Sequence, residues 1–390
     1  FTHACWFSHV SLPDRMMAPV AAPVASGATE RCLDNVVCPV YRSDNVAIKR
    51  WEAQLVTLRL IAEKAGVSVK TVSRVVNGDP AVAAKTRDHV LPYIEALDYV
   101  PNSAARQMRG GSSTILGLMT DAVATTPYSV DIVRGAQAEL GATRQLMIVS
   151  SDGDPAREAS LWRMFQAHRV SGVVYAAMYH RAHVIDQQSF GNPIILANCY
   201  AADGAQPSII PDDEAGGYAQ ARHLLSRGHR RIACVTLIPG IEATKLRAAG
   251  IRRAFREAGV SFDESLERRG MTGEVGHEVM AAFAVARELL TRKDRPTAII
   301  CGNDQVAIQV YAAAASLGLS IPQDVSVIGF DDLKLISETL CPALTTVALP
   351  YFDIGRLAVR MTLATDEEAN AQLKRVDCPL IERDSCRALN

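Results

Sequence analysis

From Thr114 onward the chain alternates short apolar runs with amphipathic stretches, and that alternation leaves few folds open. The runs at 115–119, 146–150, 172–176, 194–197, 208–210, 232–236, 298–301 and 325–329 have the length of buried strands. Helices of about ten residues or more are predicted between most of them. Strand–helix–strand repetition predicts parallel sheet with helices on both faces. The roughly 270 residues involved exceed what one sheet usually organises, so two similar lobes are predicted.

Residues 57–97 read differently. Thr57 is placed to cap a short helix over 59–65 with Leu60, Ile61 and Ala65 inward, and Gly66 ends it in a left-handed turn. Ser68 caps a second helix, Val69 to Val76, with Val72, Val75 and Val76 facing the core, and Asn77-Gly78-Asp79-Pro80 stops it. A third helix is predicted over about 83–97 with Leu91, Ile94 and Leu97 as its apolar stripe. Pro92 inside it predicts a kink or a restart, because an interior proline costs about 3 kcal/mol.

Two short helices joined by a glycine turn are the frame of a helix-turn-helix. The second helix exposes Ser68, Val69, Lys70, Thr71, Ser73 and Arg74 opposite its valines. Lys and Arg suit guanine, an apolar side chain suits the thymine methyl, and small hydroxyls suit phosphate oxygens. The whole chain is nearly neutral, with 41 basic and 42 acidic residues, so any nucleic-acid surface must be local. Residues 57–111 carry eight Lys/Arg against five Asp/Glu, a local net charge of +3.

The odd count of nine cysteines, without ligand spacing, reads as free thiols, with Cys199, Cys234, Cys301 and Cys341 in or beside apolar runs and therefore buried. No cofactor, metal or membrane span is expected. Residues 1–55 show no clean periodicity and read as a disordered extension or as upstream sequence, with Met16, Met17 or Val56 as candidate starts. No secretory signal pattern is seen there. The location expected is cytoplasmic.

The stretch TLRLIAEKAGVSVKTVSRVVNG over 57–78, followed by PNSAARQMR over 101–109, closely resembles the head and hinge of the lactose-repressor (LacI/GalR) family. The resemblance extends to about residue 385. It implies a multi-domain chain: an all-α helix-turn-helix head over 56–100, a hinge over 101–113, and an α/β two-lobed, type I periplasmic-binding-protein-like sensor with parallel sheets over 114–385. The first lobe is expected from about 114–209 plus 340–365, the second from 210–339 plus 374–385. By the family's motif, Val69, Lys70 and Arg74 read bases, while Thr57, Ser68, Thr71, Ser73 and Asn77 set phosphate register. Ala105 and Arg106 would contact the minor groove or backbone, and Met108 would be the wedge that kinks the duplex. Leu60, Pro92 and Asp98 depart from the family's usual Asp, Ala and Gly.

For the sensor, the resemblance implies that Arg247, Asn303 and Asp331 contact a ligand, with Asp121, Tyr128, Ala176, Asn198, Met271 and Tyr351 at other pocket positions. Ligands of open α/β sheets bind beyond the carboxyl ends of the strands, where these residues fall. Met271 stands where a tryptophan can occur in relatives. Asp304 and Asp332 read equally well as ligand groups or as caps. The function implied is a sequence-specific transcription regulator, a repressor, working as a homodimer on near-palindromic operator DNA under the control of a small polar effector, by analogy a mono- or disaccharide, with a nucleobase or a phosphorylated sugar as alternatives. Leucine heptads for tetramer formation are not seen past residue 362.

A solute-binding protein without DNA function is the alternative, and it leaves residues 57–111 without a role. An enzyme is not expected, since no nucleophile elbow, His-Glu-x-x-His zinc site or phosphate loop occurs. His168, His180, His183, His223, His229 and His277 are scattered and read mostly as surface or capping residues.

Overall fold

A computed structural model describes residues 56–99, 113–122, 130–185, 190–274, 276–364 and 372–389. The chain forms two units, divided between Val100 and Pro101. The expected hinge residues Ala105, Arg106 and Met108, the pocket residue Tyr128 and the 1–55 segment lie outside the described residues.

The first unit is built on α1 (Leu58–Ala65), α2 (Val69–Val76) and α3 (Ala84–Ala96). The Thr57 hydroxyl accepts the Leu60 N–H at 3.3 Å, and Ser68 Oγ accepts the Thr71 N–H at 3.0 Å. Both satisfy backbone donors that a helix start leaves unpaired. Gly66 takes φ 63 and closes α1 onto the carbonyls of Ala62 and Glu63. Asp98 also stands at positive φ, 46°, where the family's usual glycine would meet no strain.

Ile61, Ala62, Ala65, Val72, Val75 and Val90 form the core of this small unit. Two expectations need correction. Leu60 is only half-buried and outside this cluster, whose α1 contribution includes Leu58 instead, and Leu91 is exposed while its neighbour Val90 is fully buried. The stripe of α3 therefore runs through Val90, Ile94 and Leu97 at the i, i+4, i+7 spacing. The helix also continues through Pro92. Pro92 and Asp88, whose carbonyl lacks its helical donor there, are both exposed, which leaves that carbonyl to solvent.

The second unit holds two parallel-stranded lobes. The first opens with β1 (Ile115–Thr120), α4 (Val130–Leu140), β2 (Gln145–Ser150), α5 (Pro155–Ala167), β3 (Val173–Ala182), β4 (Ile194–Tyr200) and β5 (Ser208–Pro211). The second follows with α6 (Asp213–Ser226), β6 (Ile232–Thr236), α7 (Glu242–Glu257), β7 (Glu267–Arg269), the hairpin β8 (Met271–Glu274) and β9 (His277–Met280), α8 (Ala282–Leu290), β10 (Ala298–Cys301), α9 (Asp304–Ser316), β11 (Ser326–Asp331), α10 (Lys334–Ser337) and β12 (Thr345–Ala348). The chain ends on α11 (Tyr351–Leu363), β13 (Leu373–Val376) and β14 (Leu380–Ile381).

The first sheet has the order β13-β5-β4-β3-β1-β2, all parallel. The second has β14-β12-β11-β10-β6-β7, parallel except for β14. Side chains of the central strands alternate between two apolar layers: Leu116 and Leu118 of β1 face one layer, and Met119 faces the other with Trp162 and Phe165. This topology corrects the expected lobe boundaries. Of the segment 340–365 only α11 packs on the first lobe, since β12 pairs with β11 in the second sheet. In turn β13 lies in the first sheet, beside β5. The chain therefore passes between the lobes between β5 and α6, between β12 and α11, and between β13 and β14.

Helix pairs in this unit meet backbone to backbone. A Cβ on Gly250 of α7 would stand 1.9 Å from the Glu214 carbonyl oxygen of α6, and one on Gly217 would stand 2.2 Å from that of Arg247. These glycines let α6 and α7 approach closely enough to set Asp213 and Arg247 side by side.

Candidate functional site

On α2 the valines turn inward and the polar face turns out. Ser68, Val69, Lys70, Arg74 and Asn77 are exposed, with Thr71 and Ser73 half-buried. Val69 keeps 45 % of its surface, a large amount for an apolar side chain inside a helix. The Ser68 and Thr71 hydroxyls share a hydrogen bond at 2.8 Å. Arg74 reaches the Asp79 carboxylate at 3.3 Å, a partly exposed pair that solvent and salt weaken. One short helix thus presents a cation pair, an apolar tip and small hydroxyls on one side.

In the sensor a cleft of about 400 Å³ opens where both lobes contribute side chains. From the first lobe come Tyr179, His180 and Asn198, and from the second Asp213, Arg247, Met271, Glu278, Asn303 and Asp331. Tyr351 enters from the start of α11. Of the expected ligand residues, Asn198, Arg247, Met271, Asn303, Asp331 and Tyr351 are brought together here. Asp121 and Ala176 are not. Ala176 is fully buried in the first-lobe core. Asp121 sits one layer back, where its carboxylate accepts the Met178 N–H at 2.8 Å and pairs with Arg181 at 3.1 Å, fixing the strand that presents Tyr179 and His180.

Arg247 is the hub. Its Nε donates to Asp213 Oδ1 at 2.8 Å, one of its terminal nitrogens donates to the Gly302 carbonyl at 2.6 Å, and the same nitrogen lies 3.9 Å from Asp331. The guanidinium lies over the Phe330 ring, 3.5 Å from its centre. Burial pushes the Asp213 carboxyl up, but Arg247 and His180 more than reverse this and hold it below the ordinary carboxylate value. Asp331 goes the other way: burial, with Asp304 and Asp213 near, pushes it well above the usual range despite Arg247. Asn198 and Asp331 both take positive φ, 56° and 113°, strained backbone of the kind that ligand sites retain.

Asn303 has two tasks. Its side-chain oxygen caps α9 by accepting the Val306 N–H at 2.9 Å, and the residue lines the cleft. Asp304 and Asp332 hold the scaffold outside the lining. Asp304 accepts from Thr346 Oγ1 at 2.7 Å and from the Leu333 N–H at 2.8 Å, while Asp332 accepts from Ser337 and Arg383.

His180, Asp213 and Glu278 escaped the sequence reading. The six histidines were expected mostly at the surface or as caps, yet His180, His223 and His229 are buried. The pairing of β3 with β4 shifts register between Ala176 and Arg181, so strand alternation does not forecast where His180 points. Asp213 lies in an Asp-Asp-Glu run that reads as the acidic first turn of a helix, which it also is. Among the cysteines, Cys199, Cys234 and Cys301 are buried free thiols as expected, but Cys341 is exposed.

A two-lobed α/β receptor with a ligand-sized cleft, carried on a chain that also bears a helix-turn-helix, defines a ligand-responsive DNA-binding regulator. Residues 57–102 match the family described as "Bacterial regulatory proteins, lacI family", and residues 221–386 match the periplasmic binding protein-like domain. A sucrose operon repressor of Shigella flexneri is 37 % identical over 85 % of this chain and 100 % of its own length. A solved LacI-family regulator from Rhizobium etli is 43 % identical over 70 % of this chain and 99 % of its own, with a TM-score of 0.66. The lac repressor dimer bound to operator is 28 % identical over 85 % of this chain and 99 % of its own, with a TM-score of 0.68. The chain belongs to the LacI family of bacterial regulatory proteins. Among the described residues no helix is long and apolar enough to cross a membrane.

Proposed function

We propose that this chain is a transcriptional repressor whose affinity for operator DNA is set by a small hydroxyl-rich effector, a mono- or disaccharide, bound between the lobes of its sensor. The carrying observation is the convergence of Asn198, Arg247, Asn303 and Asp331 on a cleft lined by both lobes. Its volume lies within the range of about 300–1,000 Å³ typical of small-molecule sites. Amide and carboxyl oxygens accept from sugar hydroxyls, and amide and guanidinium N–H groups donate to them.

On the head, Val69, Lys70 and Arg74 would read base edges in the major groove, with Thr57, Ser68, Thr71, Ser73 and Asn77 on the phosphates. The exposure of Val69, Lys70 and Arg74 supports this assignment. Ala105, Arg106 and Met108 would serve the minor groove. One short recognition helix reads one half-site, so the working form is a homodimer on a near-palindrome, acting in the cytoplasm where the DNA is. The effector would favour one arrangement of the lobes and so bias the DNA-competent state, with reciprocal effects of DNA on effector affinity. The protein performs no catalysis in this reading. A solute-binding protein without DNA function would have no use for the head.

The test is a thermal-shift screen of sugars on the full chain, followed by DNA binding with and without any hit. A hit that changes operator affinity, and loses its effect in Asp331→Asn, supports the reading. A hit that leaves DNA binding unchanged contradicts it.

A further inference from the structure

The hairpin β8–β9 carries three cleft-lining side chains, Met271, Glu278 and Met280, while Val279 on its other side is 62 % exposed. Its base is tied to the second lobe through the Gly270 N–H to the Thr236 carbonyl, and the Ala281 N–H to the Gly270 carbonyl closes the hairpin on itself. Towards its tip it reaches the first lobe: Tyr179 Oη donates to Glu278 Oε1 at 3.0 Å. The same carboxylate oxygen accepts the Gly276 N–H at 2.8 Å, which fixes the side chain on its own turn. Tyr179 and His180 are consecutive on β3, and each meets a carboxylate of the second lobe. The hairpin is therefore a strap across the cleft, and Glu278 is the charged group it places there.

The charges of the cleft are unequal. Among the described lining residues Arg247 is the one guanidinium or ammonium group, and it is already engaged by Asp213, the Gly302 carbonyl and the Phe330 face. Three carboxyl groups line the same space, but Asp213 is matched by Arg247 and His180 and burial pushes Asp331 well above its usual range, whereas Glu278 meets the uncharged Tyr179 hydroxyl and Gly276 N–H. A hydroxyl donates to a carboxylate, whereas a phosphate ester offers acceptors and brings about −1.5 to −2 charges. The imidazole of the described lining, His180, is committed to Asp213, and Arg247 is engaged as above, so no cation there is left to neutralise it.

We propose that Glu278, carried by the β8–β9 strap, is a specificity-determining residue that makes the cleft accept uncharged sugars and reject their phosphorylated counterparts. This rests on the reading of the cleft as the effector site. Selection by repulsion is how a site discriminates between ligands whose favourable contacts are nearly the same.

Calorimetric titration of the full chain with matched pairs tests it: sucrose and sucrose 6-phosphate, glucose and glucose 6-phosphate, ribose and ribose 5-phosphate. Wild type should bind a neutral sugar at least about tenfold more tightly than its phosphate ester, the scale of one like-charge contact. Glu278→Gln should narrow that ratio and Glu278→Lys should reverse it. Tyr179→Phe, which removes the strap's hydrogen bond and leaves every charge in place, should weaken both members of a pair alike. A phosphate ester that binds wild type as tightly as its parent sugar, or a ratio unmoved in Glu278→Lys, overturns the role of Glu278 while leaving the effector cleft standing. Binding of no member of the panel, or binding unaffected by Asp331→Asn, overturns the effector-cleft reading itself and the inference with it.

Discussion

His180 Nδ1 and Asp213 Oδ2 stand 2.7 Å apart, joining a strand of the first lobe to the first turn of a helix in the second. Both side chains are almost fully buried, and Asp213 also holds Arg247. One carboxylate thus ties together the lobes and the central cation of the cleft.

Asp213→Asn should therefore be costly. It leaves the Arg247 guanidinium buried without its counter-charge, and breaking such a pair costs about 3–5 kcal/mol. Urea unfolding should show a loss of that size. The Asp213 carboxyl lies below its ordinary value of 3.8, so its contribution to stability is present above that pH and lost as the pH falls through the lower folded value. In the variant that acid-dependent part of the unfolding curve should disappear.

Two buried groups give opposing slopes nearer neutrality. Burial, with Asp332 close by, pushes Asp304 from 3.8 up to about 7. A raised carboxyl favours the folded state below pH 3.8, and that benefit is lost as the pH climbs to about 7. Burial and the nearby Arg227 push His223 from 6.5 down to about 4, so the unfolded chain takes up the proton first and stability rises with pH across that interval. Asp304→Asn should leave a stability that rises between pH 4 and 6.5. His223→Gln should leave one that falls towards pH 7. Urea midpoints measured across this range for the two variants and wild type check both signs.

On the head, Ser68→Ala removes the cap of α2 and should lower the stability of that unit by about 1 kcal/mol. Arg74→Ala should spare the fold, since the Arg74 side chain is exposed and its ion pair with the half-buried Asp79 contributes little. Its effect should appear as a loss of about 1–3 kcal/mol in specific DNA binding and a relaxed preference at one base pair. Gel-shift titration on operator variants separates this from an equal loss on all sequences, which would make Arg74 a phosphate contact.

Asn303→Ala should show two effects at once: about 1 kcal/mol of stability from the lost cap of α9, and weaker effector binding. Asn303→Asp keeps a capping oxygen but loses the amide donor. It should restore stability without restoring affinity, as read by thermal unfolding and calorimetry.

The layout of strands was legible from Thr114 onward because parallel strands buried on both faces read as continuous apolar runs. The four-residue strands β12 and β13 were not, and β12 is half threonine, with Thr345 and Thr346 buried yet hydrogen-bonded to Ser385, the Arg383 N–H and Asp304. Polar satisfaction by distant partners leaves no local pattern, and so the lobe boundaries were misplaced. The head was legible down to its caps, although Leu91 and Val90 are adjacent and fit a helical stripe almost equally well. In the cleft, Asn303 and Asp331 followed from the family resemblance, and their place at strand ends agrees with where open α/β sheets bind ligands. His180 and Glu278 did not, because one follows a register shift and the other sits on a hairpin with a cleft side and a solvent side.

In the proposed mechanism α2 lies in a DNA groove under the control of the cleft. Fluorescence anisotropy on near-palindromic genomic fragments, titrated with salt and with sugars, tests it most directly. Tight, salt-sensitive binding to a few fragments is expected, with one sugar changing that affinity at least about tenfold and Asp331→Asn abolishing the change. Equal affinity for every fragment at every salt concentration, with or without sugar, would contradict it.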